Sequence, residues 1–138
     1  MDAPRQLFVN LPVRDLKRSM RFYAELGFAF QPQYTDDKSA CVVVGERAYV
    51  MLLDQAFFGT FLPGRTVCDA RKSTEVLVCI SCRSQLEVDQ LVERALAAGG
   101  KAVREAQDLR FMYQHGFEDP DGHIWELVYL RSTPSAAP

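Results

Sequence analysis

The sequence predicts an α+β fold built from two copies of a βαβββ module. The same order of strand and helix patterns occurs twice, over about residues 6–54 and about 75–131. Residues 55–74 are predicted to connect the modules, and 132–138 to form a tail, all within one domain of 138 residues. Because one helix covers only one face of a sheet, the other faces are expected to pair and to leave a cleft for function.

The first module begins with an alternating apolar pattern over Leu7–Val13, which predicts a strand. Asp15 is a helix N-cap residue, and Gly27 is suited to end that helix. Turn-prone residues then separate three further segments with strand character. These predicted strands are 28–34, 40–44 and 48–53.

The second module repeats this order. Residues 76–80 read as a strand, and Ser84 with Glu87 forms a capping-box pattern that starts a helix. Gly99 is placed to end the helix. An Asp-Pro-Asp-Gly turn joins the last two strands of the module. The three predicted strands after the helix are 102–105, 110–117 and 123–130.

The connecting segment carries three phenylalanines, Phe57, Phe58 and Phe61, followed by a Pro-Gly turn. Loops of this length are often lids or binding loops. An equally weighted alternative is a linker whose aromatic rings fill the core or a dimer interface.

Composition excludes several partners. Sixteen basic and 18 acidic side chains give a net charge of −2, so no basic excess favours nucleic acid or an anionic membrane. The apolar runs are too short to span a bilayer, and the N-terminus lacks signal-peptide character, so a cytoplasmic location is expected. Nucleotide-binding glycine motifs and the G-x-S-x-G nucleophile motif do not occur.

Cys79 and Cys82 form a C-x-x-C pattern. The first lies within a predicted strand, and an offset of three residues sends the two side chains to opposite faces. Core packing is therefore favoured over a redox pair.

Three segments resemble one family: Asn-Leu-Pro-Val-Arg-Asp-Leu at 10–16, the aromatic and glycine pattern at 22–28, and Glu-Asp-Pro-Asp-Gly-His-Ile-Trp-Glu-Leu at 118–127. They resemble the vicinal-oxygen-chelate superfamily, which includes glyoxalase I, bleomycin-resistance proteins and extradiol dioxygenases. Within it, the chain is most similar to bacterial predicted lactoylglutathione lyases. The resemblance implies paired βαβββ modules, a ligand cleft and a homodimer.

The resemblance also implies four positions for metal ligands, one on each of four strands. They fall on Phe8, Leu52, Leu77 and Glu126, of which only Glu126 can bind a metal. No cofactor is therefore expected. A divalent metal held with ligands borrowed from elsewhere is left open.

His115 is the other candidate catalytic residue. A hairpin at the Asp-Pro-Asp-Gly turn is predicted to place it opposite Glu126, where the pair could shuttle a proton. A structural or ligand-anchoring role for the pair is favoured over catalysis. Tyr113 shares the parity of His115 and is predicted to line the same cleft wall. His123 is expected to face solvent and Trp125 to lie in the core.

The preferred hypothesis is a protein that binds a small, partly apolar molecule without the family's usual metal. Phe8, Leu52 and Leu77 are predicted to supply apolar contacts, and Asn10 an amide that anchors the ligand or satisfies a strand end. The alternative is an enzyme resembling lactoylglutathione lyase, with Glu126 as base. A third hypothesis is an interaction module whose cleft is filled by side chains.

Overall fold

The computed structural model describes residues 3–131 and divides them into two compact units, with the boundary in the chain between Asp69 and Ala70. This boundary lies inside the predicted connecting segment. The predicted tail at 132–138 lies outside the described residues. Unit 1 therefore comprises 3–69 and unit 2 comprises 70–131.

Unit 1 is a four-stranded sheet with two helices. Its strand order is β1-β4-β3-β2, with β1 parallel to β4 and the other pairs antiparallel. Its elements are β1 (Leu7–Val13), α1 (Leu16–Glu25), β2 (Ala29–Phe30), a 3-10 turn (Pro32–Tyr34), β3 (Ser39–Gly45), β4 (Ala48–Asp54) and α2 (Gln55–Gly59).

Local sequence explains where these elements begin and end. The Asp15 carboxylate accepts a hydrogen bond from the backbone N–H of Arg18 (3.1 Å) and caps α1. Gly27 follows α1 with φ of +97°, a conformation that glycine adopts without strain. The strand predicted at 28–34 is much shorter, because Pro32 starts the 3-10 turn. Asp54 caps α2, a helix inside the segment predicted to be a loop.

Unit 2 repeats the architecture with strand order β5-β9-β8-β6, and β7 also pairs with β8. Strand β5 is parallel to β9, and the remaining pairs are antiparallel. Its elements are β5 (Leu77–Ser81), α3 (Gln85–Ala97), β6 (Lys101–Ala102), β7 (Gln107–Asp108), β8 (Met112–Glu118) and β9 (Ile124–Leu130). The strand predicted at 102–105, the first after the helix, is thus replaced by two short strands.

Side-chain hydrogen bonds fix the ends of the unit 2 elements. The Ser84 hydroxyl accepts from the backbone N–H of Glu87 (3.0 Å) at the start of α3. In the β8–β9 turn, the Asp119 carboxylate accepts from the backbone N–H groups of Asp121 and His123, both at 2.9 Å. His123 is only 9% exposed, so the expectation that it faces solvent is wrong.

The core of unit 2 contains Trp125, which is fully buried as predicted. Its ring stacks on Phe117 of the neighbouring strand, with ring centroids 5.9 Å apart. Leu127 of β9 and Val88 of α3 are also completely buried. This core occupies the face of the sheet that α3 covers, which leaves the opposite face for other contacts.

The predicted α+β fold of two βαβββ modules is confirmed, with β7 as an additional short strand in unit 2. Within residues 3–131, no helix is both long enough and apolar enough to cross a membrane.

Candidate functional site

The face of the unit 2 sheet that points away from α3 carries Glu126, the acid at one of the four positions that the resemblance implies for metal ligands. The hydroxyl of Tyr113 donates to the Asp89 carboxylate of α3 (2.6 Å), so alternate β8 residues from Tyr113 onward face the helix. Gly116, which pairs directly with Glu126, therefore lies on the opposite face. We call this surface the Glu126 face. It comprises Leu77, Cys79, Gly116, Glu126 and Val128.

Glu126 is 8% exposed, and Arg104 binds its carboxylate with both ends of the guanidinium group. Nη1 of Arg104 donates to Oε2 (3.1 Å), and Nη2 donates to Oε1. Hydrogen bonding to Glu126 raises the pKa of the Arg104 guanidinium above its ordinary value. Both carboxylate oxygens are thus occupied by one fixed cation.

Gly116 makes this arrangement sterically possible. A Cβ atom at position 116 would lie 2.4 Å from Oε2 of Glu126 and 2.7 Å from the carbonyl oxygen of Trp125. Both distances are shorter than real Cβ contacts, so any other side chain would displace the carboxylate. The absence of a side chain at Gly116 therefore leaves the space that the Glu126 carboxylate occupies.

His115 contacts the backbone of Arg104 from the α3 face of the sheet. Its Nε2 lies 2.9 Å from the carbonyl oxygen of Arg104, and since a carbonyl only accepts, this nitrogen donates. His115 therefore holds the backbone of Arg104. It pairs with Leu127, and its side chain lies on the α3 face, so the predicted pairing of His115 with Glu126 is wrong by one residue.

Cys79 is the neighbour of Glu126 on β5. Burial, with a smaller contribution from the Glu126 charge, raises the pKa of its thiol. Burial and the charge of Glu87 raise the pKa of Cys82 to about 12. Both thiols stay protonated at neutral pH, which argues against a redox pair. Cys79 is nevertheless exposed, contrary to the prediction that it packs in the core.

In unit 1, the corresponding sheet face carries aromatic and apolar side chains. Phe8 stacks on Tyr49, with ring centroids 4.9 Å apart, and meets the edge of Tyr34 at 5.8 Å. Asn10 pairs with Met51 and lies on the same face. We call this surface the Phe8 face. It comprises Phe8, Asn10, Tyr49 and Met51.

Leu52 is on the other side of the unit 1 sheet. It pairs with Leu11 and Ala40, and its side chain is fully buried. The prediction that Leu52 lines the same wall as Phe8 is therefore wrong by one residue, and Met51 takes that position. Tyr113 is also buried, with its hydroxyl bound to Asp89, so the structure turns it away from the Glu126 face.

The remaining predicted ligand contacts are accessible: Phe8 is 39% and Leu77 55% exposed, and Asn10 is exposed. Sequence reasoning missed Arg104 and Gly116. A glycine inside a strand pattern signals close approach of another group, so Gly116 had a usable signal. No sequence signal marks Arg104. It lies between two short strands, and only the tertiary structure brings it close to Glu126.

Comparison with known proteins agrees with this architecture. Residues 5–45 match the family described as bleomycin resistance protein-like N-terminal. The hypothetical protein SA1046 from S. aureus is 28% identical over 94% of each chain, with a TM-score of 0.75. The chain has the fold of the vicinal-oxygen-chelate superfamily. The resemblance inferred from the sequence is confirmed.

Two further structures extend this likeness to the vicinal-oxygen-chelate fold. A glyoxalase-related enzyme from Fulvimarina pelagi is 25% identical, with coverage of 92% of this chain and 88% of that one and a TM-score of 0.74. A glyoxalase/bleomycin resistance protein/dioxygenase family enzyme from Burkholderia phytofirmans PsJN is 18% identical, with coverage of 89% and 96% and a TM-score of 0.73. A search of curated proteins gave no match.

The residues at the four positions that the resemblance implies for metal ligands do not fit a metal ion. With the corrected register they are Phe8, Met51, Leu77 and Glu126, and three of them offer neither oxygen nor nitrogen. Met51 contributes only a soft thioether. Among residues 3–131, no three His, Cys, Asp or Glu side chains are grouped so that they could hold a metal.

Proposed function

We propose that this chain binds a small, partly apolar molecule without using a metal ion. The observation that carries the proposal is that Arg104 binds the Glu126 carboxylate through two hydrogen bonds. Glu126 is the only oxygen donor at the four positions, and Arg104 occupies both of its oxygens. A divalent ion would have to displace this arginine and would then find a single protein ligand.

Accessible apolar side chains support the binding of an organic molecule. On the Phe8 face, Phe8 is more than one-third exposed, and so is Tyr34, whose ring contacts it. On the Glu126 face, Leu77 is half exposed beside the Arg104–Glu126 pair. Partly exposed aromatic and aliphatic groups next to a few fixed polar groups are the usual lining of a small-molecule site.

The alternative proposal is an enzyme resembling lactoylglutathione lyase, with Glu126 as base. It is favoured only by the retention of an acid at this position. Each oxygen of the Glu126 carboxylate already accepts a hydrogen bond from Arg104, so a substrate proton would compete with a bound cation for the same group. Binding without chemistry therefore agrees better with the site.

A fragment screen on the full chain by thermal shift and ligand-observed NMR tests the proposal. In excess EDTA, we expect partly apolar fragments to raise the melting temperature. Added zinc, nickel or manganese should leave the fragment affinities unchanged. The proposal fails if no fragment binds, or if purified protein carries stoichiometric metal that Glu126→Gln removes.

Glu93→Gln, an exposed substitution on α3, is the matched control for the loss of one acid. Metal-stimulated turnover of methylglyoxal with a thiol, lost in Glu126→Gln and kept in Glu93→Gln, would establish the lyase alternative. We also propose a homodimer, as the resemblance implies, and light scattering measures it directly.

A further inference from the structure

The exposed part of the Arg104–Glu126 pair is the cation. The Arg104 side chain is 35% exposed, whereas the Glu126 side chain is 11% exposed. A molecule that reaches the Glu126 face therefore meets the guanidinium group first. The carboxylate lies beneath it, against Gly116.

The guanidinium group keeps unused donors. Arginine has five N–H groups in a planar fork, and the two hydrogen bonds to Glu126 use one on each terminal nitrogen. Three N–H groups remain for an acceptor. Arginine is suited to this use because its planar fork matches a carboxylate and keeps its charge at all accessible pH values.

The arginine is fixed at both ends. Glu126 orients its guanidinium, and His115 binds its backbone carbonyl. Gly116 in turn leaves the space that Glu126 needs. A side chain ordered before the ligand arrives loses less conformational entropy on binding, so its hydrogen bonds contribute more to affinity.

Other polar side chains of unit 2 do not replace Arg104. Arg131 is bound to the Asp108 carboxylate (2.7 Å). Gln114 donates to the side chain of Gln107 (2.8 Å) and is neutral. Apolar Leu77 and Val128 share the face with the ion pair. Gln114 and Glu118 also lie on this face, because they alternate with Gly116 along β8. The face thus combines one oriented cation, Arg104, with the carboxylates of Glu126 and Glu118 and with aliphatic surface.

We propose that Arg104 is the ligand-recognition residue of the Glu126 face and that it selects a carboxylate head group attached to an apolar body. The carboxylate accepts from the free N–H groups of Arg104, and the apolar body contacts Leu77. This proposal rests on the proposed function, since it names the chemical class of the small molecule. Glu126 acts through Arg104 as a positioning residue.

A matched series of ligands tests the proposal: 4-phenylbutyrate, 4-phenylbutanol and 4-phenylbutylamine, titrated into the full chain at pH 7.5 and followed by NMR. We expect the carboxylate to bind about tenfold more tightly than the alcohol, because its hydrogen bonds to arginine are charge-assisted. The amine should bind most weakly. Equal affinities, or tighter binding of the amine to Glu126, would overturn the proposal and leave the proposed function standing.

Three variants assign the selectivity to Arg104. Arg104→Gln should remove the preference for the carboxylate, and Arg104→Lys should keep only part of it, because lysine lacks the planar fork. Arg110→Gln removes the same charge from an exposed arginine of unit 2 and should keep the full preference. Retained selectivity in Arg104→Gln would refute the assignment.

Arg104→Gln leaves a buried carboxylate without its cation, so the fold itself could be weakened. The double variant Arg104→Gln/Glu126→Gln removes both charges and separates stability from recognition. We expect it to fold and to bind the three ligands with similar affinities. If no ligand of the series binds wild-type protein, carboxylate recognition is refuted, and the fragment screen decides the proposed function separately.

Discussion

The two units share one architecture and differ in chemistry at equivalent positions. Asn10 in unit 1 and Cys79 in unit 2 lie at the same distance before the helix N-caps, and their sheet partners are Met51 and Glu126. One unit therefore places a thioether where the other places an acid. The framework is set by caps and apolar alternation, which leaves these positions on the opposite face free to diverge.

The two units also differ on the strand next to these positions, which is β3 in unit 1 and β8 in unit 2. Met51 pairs with Cys41 on β3, and Glu126 pairs with Gly116 on β8. The acid requires a glycine beside it, while the thioether does not. The polar site on the unit 2 sheet thus depends on the Glu126 and Gly116 pair, together with Arg104 between β6 and β7.

The largest effect is expected from Gly116→Ala. The new Cβ would contact Oε2 of Glu126 and the carbonyl oxygen of Trp125, so the ion pair with Arg104 should break. We expect a loss of about 2–3 kcal/mol in the free energy of unfolding by urea denaturation. Cys41→Ala at the equivalent position of unit 1 should cost about 1 kcal/mol. Equal losses would mean that Gly116 has no special role beside Glu126.

Met51→Glu makes unit 1 resemble unit 2 without an arginine partner. We expect a loss of about 2 kcal/mol, greater at pH 8 than at pH 5, because partial burial disfavours the ionised acid. Urea denaturation at both pH values measures it. In the reverse exchange, Glu126→Met should cost about 1 kcal/mol, since Arg104 is partly exposed and stays hydrated. A stabilising Met51→Glu would contradict the view that the acid needs its cation.

Tyr113→Phe compares buried hydroxyl groups in the two units. The Tyr113 hydroxyl donates a 2.6 Å hydrogen bond to Asp89, so its removal should lower the free energy of unfolding by about 1–2 kcal/mol. Tyr49→Phe, whose hydroxyl meets Gln6 at 3.4 Å, should cost less than about 0.5 kcal/mol.

The contribution of Tyr113 also depends on pH. The hydrogen bond to Asp89 and burial raise the pKa of Tyr113 to about 12. Because the folded state favours the protonated phenol, its contribution is complete below pH 10 and is lost as the pH rises towards 12. Denaturation at pH 9 and pH 11 should show the gap between wild type and Tyr113→Phe narrowing. A gap that widens would contradict this assignment.

The smallest effect concerns thiol reactivity. Cys41 is buried and Cys82 has a pKa of about 12, whereas Cys68 is exposed. Iodoacetamide at pH 8 should therefore label Cys68 before Cys41, Cys79 or Cys82, as peptide mass spectrometry would show. Rapid labelling of Cys79 and Cys82, or a disulfide between them under mild oxidation, would revive a redox role.

Local signals account for the parts of the fold that the sequence predicted correctly. Asp15 and Ser84 begin helices and Gly27 follows one, and each acts within one helical turn. Their roles can therefore be predicted without tertiary information. Apolar alternation predicted the strands in the same way. These features define the repeated module and therefore the fold class.

The site was less predictable because it depends on register and on contacts distant in sequence. The predicted register was off by one residue at both Leu52 and His115. An error of one residue places a side chain on the opposite face of the sheet. The turn geometry that sets register is not fixed by residue types alone. The approach of Arg104 to Glu126 depends on an irregular segment between two short strands, which no periodic pattern describes.

Trp125 is the only tryptophan of the chain, and it neighbours Glu126 on β9 in the core of unit 2. Tryptophan fluorescence consequently originates from one half of the protein alone. An unfolding curve recorded at its emission follows unit 2, while far-ultraviolet circular dichroism follows both units. A separation between the two curves would reveal that the halves melt independently, without any introduced label.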